Sequence, residues 1–382
     1  MLGAIFMSEK EQKNYELALQ VIHNRLSIVE FSILIGKSYS QSQRIIKKIK
    51  QNGMLGIKHG NSGKTPWNKT PDELIEDVTN LLKNDYNRFN LTHFKEMLEV
   101  HEGISLGKNI IHRLATKNHL VKRPKRRKKK VHKLRPRMPQ AGMLIQFDGS
   151  EHEWINNIVC DLIGGIDDAT GEVVGAEFFI GETSLHCMKV MKDIIESKGV
   201  PKAFYLDGAG YFGKHDRETN TQIARALNTV NCECIIAGSA QAKGRIERLW
   251  NTFQDRLIAE LDFYQIKNIP EANKFLKEDF LPRYNEKFGI PARIIEPAYQ
   301  TLKRSNLENI FCRKIDRKIG QGQQFNYNNE IFIIDEDRSY ACGKVWINEH
   351  IDGTTSYDIM GREVKVKKYS PVKRKDHLAI AA

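Results

Sequence analysis

The chain has no apolar run approaching the ~18 residues that a membrane span requires, and its apolar opening from Met1 to Met7 is too short for a signal-peptide core. A cytoplasmic place near the nucleoid is expected, with no membrane partner. Cysteine is scarce, six in 382 residues, and the only close pair is Cys232 and Cys234. Neither that pair nor the twelve histidines have zinc-finger spacing, so reduced structural thiols are expected rather than a metal site. Acid is also in short supply, with 47 Asp and Glu against 60 Lys and Arg, a net charge of +13. That imbalance calls for a polyanionic partner, because each cation placed on a phosphate releases a condensed counterion. Nucleic acid is the first candidate, although anionic membranes, ribosomes and acidic proteins share the property. A length of 382 residues suffices for two to four domains, and the 40% hydrophobic content for at least one sizeable core.

The excess charge is concentrated. Residues 121–137, VKRPKRRKKKVHKLRPR, hold eleven Lys or Arg and no acid. Such a block repels itself and is expected to be an extended arm over 121–140, with Lys122, Arg123, Lys125, Arg126, Arg127, Lys128, Lys129 and Lys130 laid along phosphates or in a minor groove. A localisation signal or a solubilising tether is the plainer alternative.

Two helical units precede the arm. Over 8–62 the pattern predicts helices through Tyr15 to His23, Ser27 to Ile35 and Ser40 to Gln51, a helix-turn-helix whose third helix carries Gln43, Arg44, Lys47 and Lys48 as DNA-reading candidates. Over 70–120 it predicts helices through Pro71 to Lys83, Thr92 to Val100 and Ser105 to Lys117, the last with Lys108 and Arg113 off its apolar side. One basic amphipathic helix is equally a solvated face. Two in tandem favour DNA, since two weak contacts on one duplex multiply through effective concentration.

From Met143 the texture becomes α/β. Strands are predicted at Met143 to Asp148, Ile158 to Ile166 and Val173 to Ile180, then a helix through Leu185 to Lys198 and a strand at Ala203 to Asp207. A helix near Thr219 to Leu227, a strand at Cys232 to Ala237 and a long helix from about Lys243 to Leu261 follow. That order, three antiparallel strands and then alternation, predicts a ribonuclease-H-like mixed sheet over 141–285. A connector over 286–312, a small β-barrel over 313–370 and a tail over 371–382 complete the expected multidomain chain.

The chemistry rests on three acids. Asp148, in QFDGSEHEW, and Asp207, in FYLDGAGYF, each follow an apolar strand and precede Gly, so each is expected at a strand end. Singly, an Asp-Gly pair there is more often just a turn. Glu247 lies near the start of the helix GRIERLWNTFQDRLIAEL, off its apolar stripe. Carboxylates from two strand ends and a helix start suit two hard cations, Mg²⁺ or Mn²⁺, holding a phosphate between them for in-line displacement. Asp255 and Glu260 on the same helix remain alternatives to Glu247.

Asp148, Asp207 and Glu247, separated by 58 and 39 residues, resemble the acidic (DDE) triad of retroviral-integrase-like transposases. QFDGSEHEW, LIGGIDDATGEVVGAEF, KGVPKAFYLDGAGYF and GSAQAKGRIERLW are similar to the successive core signatures of bacterial insertion-sequence enzymes, most like the ISNCY group. The resemblance implies recognition of terminal inverted repeats, hydrolysis exposing 3′-hydroxyls and their transfer into target DNA, by at least a dimer on double-stranded DNA. It also implies DNA contacts by Lys243, Arg245, Arg248 and Asn251, and places Asp167 and Asp168 in a hairpin turn outside the triad. The integrase zinc-binding N-terminus is absent. Two other functions stay open: a catalytically silent, transposase-derived DNA-binding regulator, and a metal-dependent nuclease without strand transfer.

Overall fold

A computed structural model of the chain describes residues 7–58, 61–62, 65–121, 135–207, 222–236, 244–302 and 306–369. They divide into two compact units, one ending at Glu76 and the other starting at Asp77.

In the first unit, α1 (Glu9–Ile22), α2 (Ile28–Ile35) and α3 (Tyr39–Asn52) each begin with a capping box. Ser8 with Glu11, Ser27 with Glu30 and Ser38 with Gln41 exchange side-chain and backbone hydrogen bonds, satisfying N–H groups that a helix start leaves free. The box at Ser8 starts α1 six residues ahead of the predicted Tyr15. Gly36 ends α2 in the left-handed region at φ +64°, which lets the chain turn within two residues into α3. Ala18, Phe31, Ile35, Ile46 and Ile49 form the core. The spacing of the three helices is thus set by caps and a glycine, with the basic side of α3 left outward.

Helix α4 (Asp72–Asn84) crosses the division, and α5 (Leu91–His101) and α6 (Lys108–Lys117) follow it. The second unit then forms a five-stranded mixed sheet from β1 (Ile145–Ile155), β2 (Ile158–Asp167), β3 (Val173–Phe179), β4 (Ala203–Leu206) and β5 (Glu233–Ile236), in the order β3-β2-β1-β4-β5. The first three strands pair antiparallel; β4 pairs parallel with β1, and β5 parallel with β4. Helices α7 (Ser184–Lys198) and α8 (Gln222–Thr229) cover the face of Ile145, Phe147, Phe204 and Leu206. The other face, with Trp154, Leu162 and Phe178, is covered by α9 (Gly244–Phe263), α10 (Ile269–Phe275) and α11 (Leu281–Phe288). Alternate residues of β1 therefore address opposite helical layers, as strand geometry requires.

Helix α5 and the turn before it pack on the far half of α9. Tyr86 stacks on Phe263 at 5.0 Å. Buried His93 bonds Glu260 at 2.9 Å, and Arg256 bonds Glu96 at 2.7 Å.

Beyond α12 (Leu307–Ile310), the expected barrel is not closed. Strands β6 (Arg313–Lys318), β9 (Lys344–Glu349), β10 (Thr355–Ile359) and β11 (Arg362–Glu363) form one open sheet, and β7 (Gln324–Tyr327), β8 (Glu330–Ile334) and β12 (Val366–Lys368) another. Both contribute to a core containing Phe325, Ile334, Val345 and Ile347. Closure needs a continuous ladder at a fixed stagger. Strands of two and three residues, as at β11 and β12, are too short to carry one.

Candidate active site

Sequence reasoning ends the first strand at Asp148, with Gly149 turning the chain. The structure instead carries β1 through to Ile155, with Asp148 opposite Gly164 and Gly149 opposite Ile163. The reversal comes later, between Ile155 and its partner Ile158, where Asn157 adopts φ +62°. Asn tolerates that left-handed conformation and so takes the turn. Gly149 instead provides space. A Cβ there would lie 2.4 Å from a carboxylate oxygen of Glu182, so the missing side chain makes room for that acid beside Asp148.

Asp207 directly follows β4. The parallel register pairs Ile145 with Phe204 and Gln146 with Tyr205. Two residues beyond that last pair, Asp148 continues β1 and Asp207 directly follows β4, so both lie at the same end of adjacent strands. Because Phe147 faces the α7 layer, alternation along β1 puts Asp148 on the other face of the strand, the face of Gln146. The buried Cys187 thiol of α7 lies within electrostatic reach of Glu182, Asp207 and Asp148. Burial first, and then the charges and hydrogen bond of Glu182 with the charges of Asp207 and Asp148, push it far above the ordinary thiol range.

Glu247 lies in the first turn of α9, exposed, where an acid suits the positive end of the helix dipole. That turn is tied to β1: Gln146 Oε1 accepts the Ile246 N–H at 3.3 Å. The two alternative acids of α9 are engaged elsewhere, Asp255 with Asn90 and Glu260 with His93 and Arg283. Glu260 stands thirteen residues, roughly 20 Å at 1.5 Å per residue, from Glu247. It cannot share an ion with Asp148.

Of the other residues expected near Glu247, Arg248 is exposed, and Asn251 donates back to the Glu247 carbonyl at 2.9 Å. Arg245 turns inward, its Nε 2.7 Å from Asp168. Lys243 lies outside the described residues, as do Lys122, Arg123, Lys125, Arg126, Arg127, Lys128, Lys129 and Lys130. Gln43, Arg44, Lys47 and Lys48 share the exposed side of α3, and Lys108 and Arg113 are exposed on α6.

Sequence reasoning misses three acids. Glu182 carries no signal beyond its charge. The pair Asp167-Asp168 reads as a turn, yet both are buried. Asp167 does make the turn, accepting the Ala169 N–H at 2.8 Å and the Thr170 N–H at 3.2 Å, and it also accepts Gly142 N–H and the Tyr299 hydroxyl. Asp168 binds only remote segments. Two adjacent acids at the end of an apolar strand, one more than the turn consumes, are the available clue.

The donors at Asp148, Asp207 and Glu247 are all oxygen, the kind a hard divalent cation takes. Among the described residues, no group of three His, Cys, Asp or Glu side chains is arranged to hold a metal ion. None of the described helices is long and apolar enough to cross a membrane. All six cysteines are free.

A candidate transposase of Sinorhizobium fredii, y4bF, is 28% identical over 99% of this chain and 85% of its own length. The transposase for insertion sequence IS1202 of Streptococcus pneumoniae is 28% identical over 85% of this chain and 78% of its own. The chain is thus similar to transposases along most of its length. No family model matches it. Among solved structures, the HTLV-2 integrase catalytic core in complex with magnesium covers 37% of this chain and 89% of its own at 16% identity and TM-score 0.29. A simian T-cell lymphotropic virus intasome in complex with a PP2A regulatory subunit covers 77% and 100% at 13% identity and TM-score 0.36.

Proposed function

We propose that this chain is a DDE transposase that binds the inverted ends of a mobile element, cleaves there to expose 3′-hydroxyls and joins them to target DNA. The observation that carries the reading is the parallel register of β1 and β4, which brings Asp148 and Asp207 to the same end of adjacent strands, in a sheet one face of which is covered by the helix whose first turn holds Glu247. Whole-length similarity to transposases supports the same reading.

In this reading Asp148, on the central strand, would hold two Mg²⁺ or Mn²⁺ ions together with Asp207 and Glu247. Such ions, when bound, supply activation of a water or 3′-hydroxyl and charge stabilisation at the leaving oxygen. The protein's own work is positional. The sheet fixes both aspartates without a flexible loop between them and their strands, Gln146 holds the first turn of α9 to β1, and exposed Arg248 offers a cation to the phosphate beside Glu247. The exposed basic side of α3 and the arm of residues 121–140 serve the DNA ends, and two ends require at least a dimer.

Strand cleavage and joining with Mg²⁺ or Mn²⁺, on duplexes carrying the element's ends, test the proposal. Joined products are expected from the wild type and neither nicks nor joints from Asp148→Asn. Cleavage that survives Asp148→Asn overturns the mechanism, and nicks without joints leave a nuclease.

A further inference from the structure

Asp168 is fully buried. Its carboxylate makes no bond to its own turn, which Asp167 completes. Every donor it receives comes from a distant segment. Oδ1 takes Arg135, Gln146 Nε2 at 2.8 Å and Arg245 Nε at 2.7 Å, and Oδ2 takes the Met138 N–H at 2.9 Å. Three parts of the chain meet on this one group: the end of the basic arm, the strand that carries Asp148 and the first turn of α9.

Two of these donors sit two residues from a proposed metal ligand. Gln146 precedes Asp148 on the same side of β1, and Arg245 precedes Glu247. Gln146 also closes the circuit, since its amide nitrogen is spent on Asp168 and its oxygen is thereby turned to the Ile246 N–H, one residue before Glu247. A cation at the start of a helix opposes the helix dipole, and Arg245 has Arg137 and Arg248 for neighbours. Burial and the charges of Arg245 and Arg248 hold the Arg137 guanidinium below its ordinary value, with Asp168 opposing them. Without the Asp168 anion, these arginines would repel one another at the turn that carries Glu247.

We infer that Asp168 is a positioning residue, which holds Glu247 in register with Asp148 and ties that register to the end of the basic arm through Arg135. The inference rests on the two-metal reading above. Groups that orient a metal ligand from behind typically alter metal affinity or activity by roughly 10–100-fold when removed.

The test is Mn²⁺ binding to the full-length protein by titration calorimetry, without DNA, beside the Mg²⁺ dependence of cleavage, the DNA affinity and the melting temperature. Asp168→Asn keeps the shape and removes the charge. It is expected to weaken Mn²⁺ binding by roughly tenfold or more and to raise the Mg²⁺ concentration for half-maximal cleavage, with DNA affinity near wild type. Should that variant fail to fold, Arg245→Gln, which leaves Arg135 and Gln146 on Asp168, is expected to shift Mn²⁺ binding in the same direction. Unchanged metal binding in a folded Asp168→Asn, or in Arg245→Gln where only that variant folds, overturns the inference alone. Mn²⁺ binding indifferent to Asp148→Asn in the otherwise wild-type protein overturns the two-metal reading, and this inference with it.

Discussion

Gln146 and Tyr205 are paired across the parallel strands β1 and β4, two residues before Asp148 and Asp207. Two carboxylates brought to one end of adjacent strands repel each other where no cation lies between them. Neutralising either one removes a ligand and relieves the repulsion at once. Asp148→Asn and Asp207→Asn are therefore expected to lose at least about 100-fold in cleavage rate while binding end DNA as tightly as the wild type or more tightly. Gel-shift and cleavage assays on the same preparations check both. A loss of DNA binding in parallel with cleavage would instead assign the aspartates a folding role.

The basic side of α3 makes a separate prediction. Arg44, Lys47 and Lys48 are exposed there beside Gln43, a polar group able to read a base edge. If Lys47 meets a phosphate, Lys47→Ala should make the slope of log affinity against log salt shallower by roughly 0.9. Gln43→Ala should leave the slope alone and reduce the preference for end sequence over random duplex. Fluorescence anisotropy across a salt series separates the two, and a slope unmoved by Lys47→Ala and Lys48→Ala takes α3 off the backbone.

Much of this fold is legible in the sequence because hydrophobic period and end signals agree. The three S-x-x-E/Q boxes sit where α1, α2 and α3 begin, and the apolar stripe of Ile246, Leu249, Trp250, Phe253 and Leu257 is the buried side of α9. The meaning of a glycine is harder to read. Gly149 has the sequence of a turn and is a gap for Glu182, and only the strand pairing, fixed by residues ten to fifteen positions away, distinguishes the two. Asp168 is illegible for a related reason: its partners come from residues 135, 138, 146 and 245, and nothing local marks a convergence of that range. The barrel is over-read because turn spacing locates strands but carries no information on whether the last ladder closes.

Gly175 tests the packing of the layer that backs the aspartates. It lies on β3 beneath α7, and a Cβ there would fall 2.6 Å from Ile194 Cγ1, inside contact distance for a fully buried side chain. Gly175→Ala is expected to cost about 1–3 kcal/mol by overpacking, measured by urea unfolding. The double variant Gly175→Ala with Ile194→Ala, which removes Cγ1, should cost less than the sum of the two single changes, since neighbours sharing one space do not add.

Glu260 carries the acid sensitivity of the contact between α5 and α9. Burial pushes its carboxyl up, but hydrogen bonds from His93 and Arg283, at 2.9 and 2.5 Å, outweigh burial and leave it below the usual glutamate range. A carboxylate lowered on folding stabilises the folded state fully above the unfolded value, about pH 4.3, and loses that contribution as pH falls through its lowered folded value. Glu96, lowered by Arg256 and Lys287 against its own burial, acts in the same sense on the same surface. Acid should therefore detach α5 from α9 below about pH 4.3, seen as new protease cleavage near α5 ahead of loss of the sheet. At neutral pH, Glu260→Ala should reproduce that detachment and cost about 3 kcal/mol, the low end for a broken buried pair because Arg283 is half exposed and regains water. Arg88, whose bond to Asp262 is long at 3.4 Å and exposed, should give less than about 1 kcal/mol when replaced by Ala. Equal losses at the two positions would mean that the buried pair contributes nothing beyond its packing.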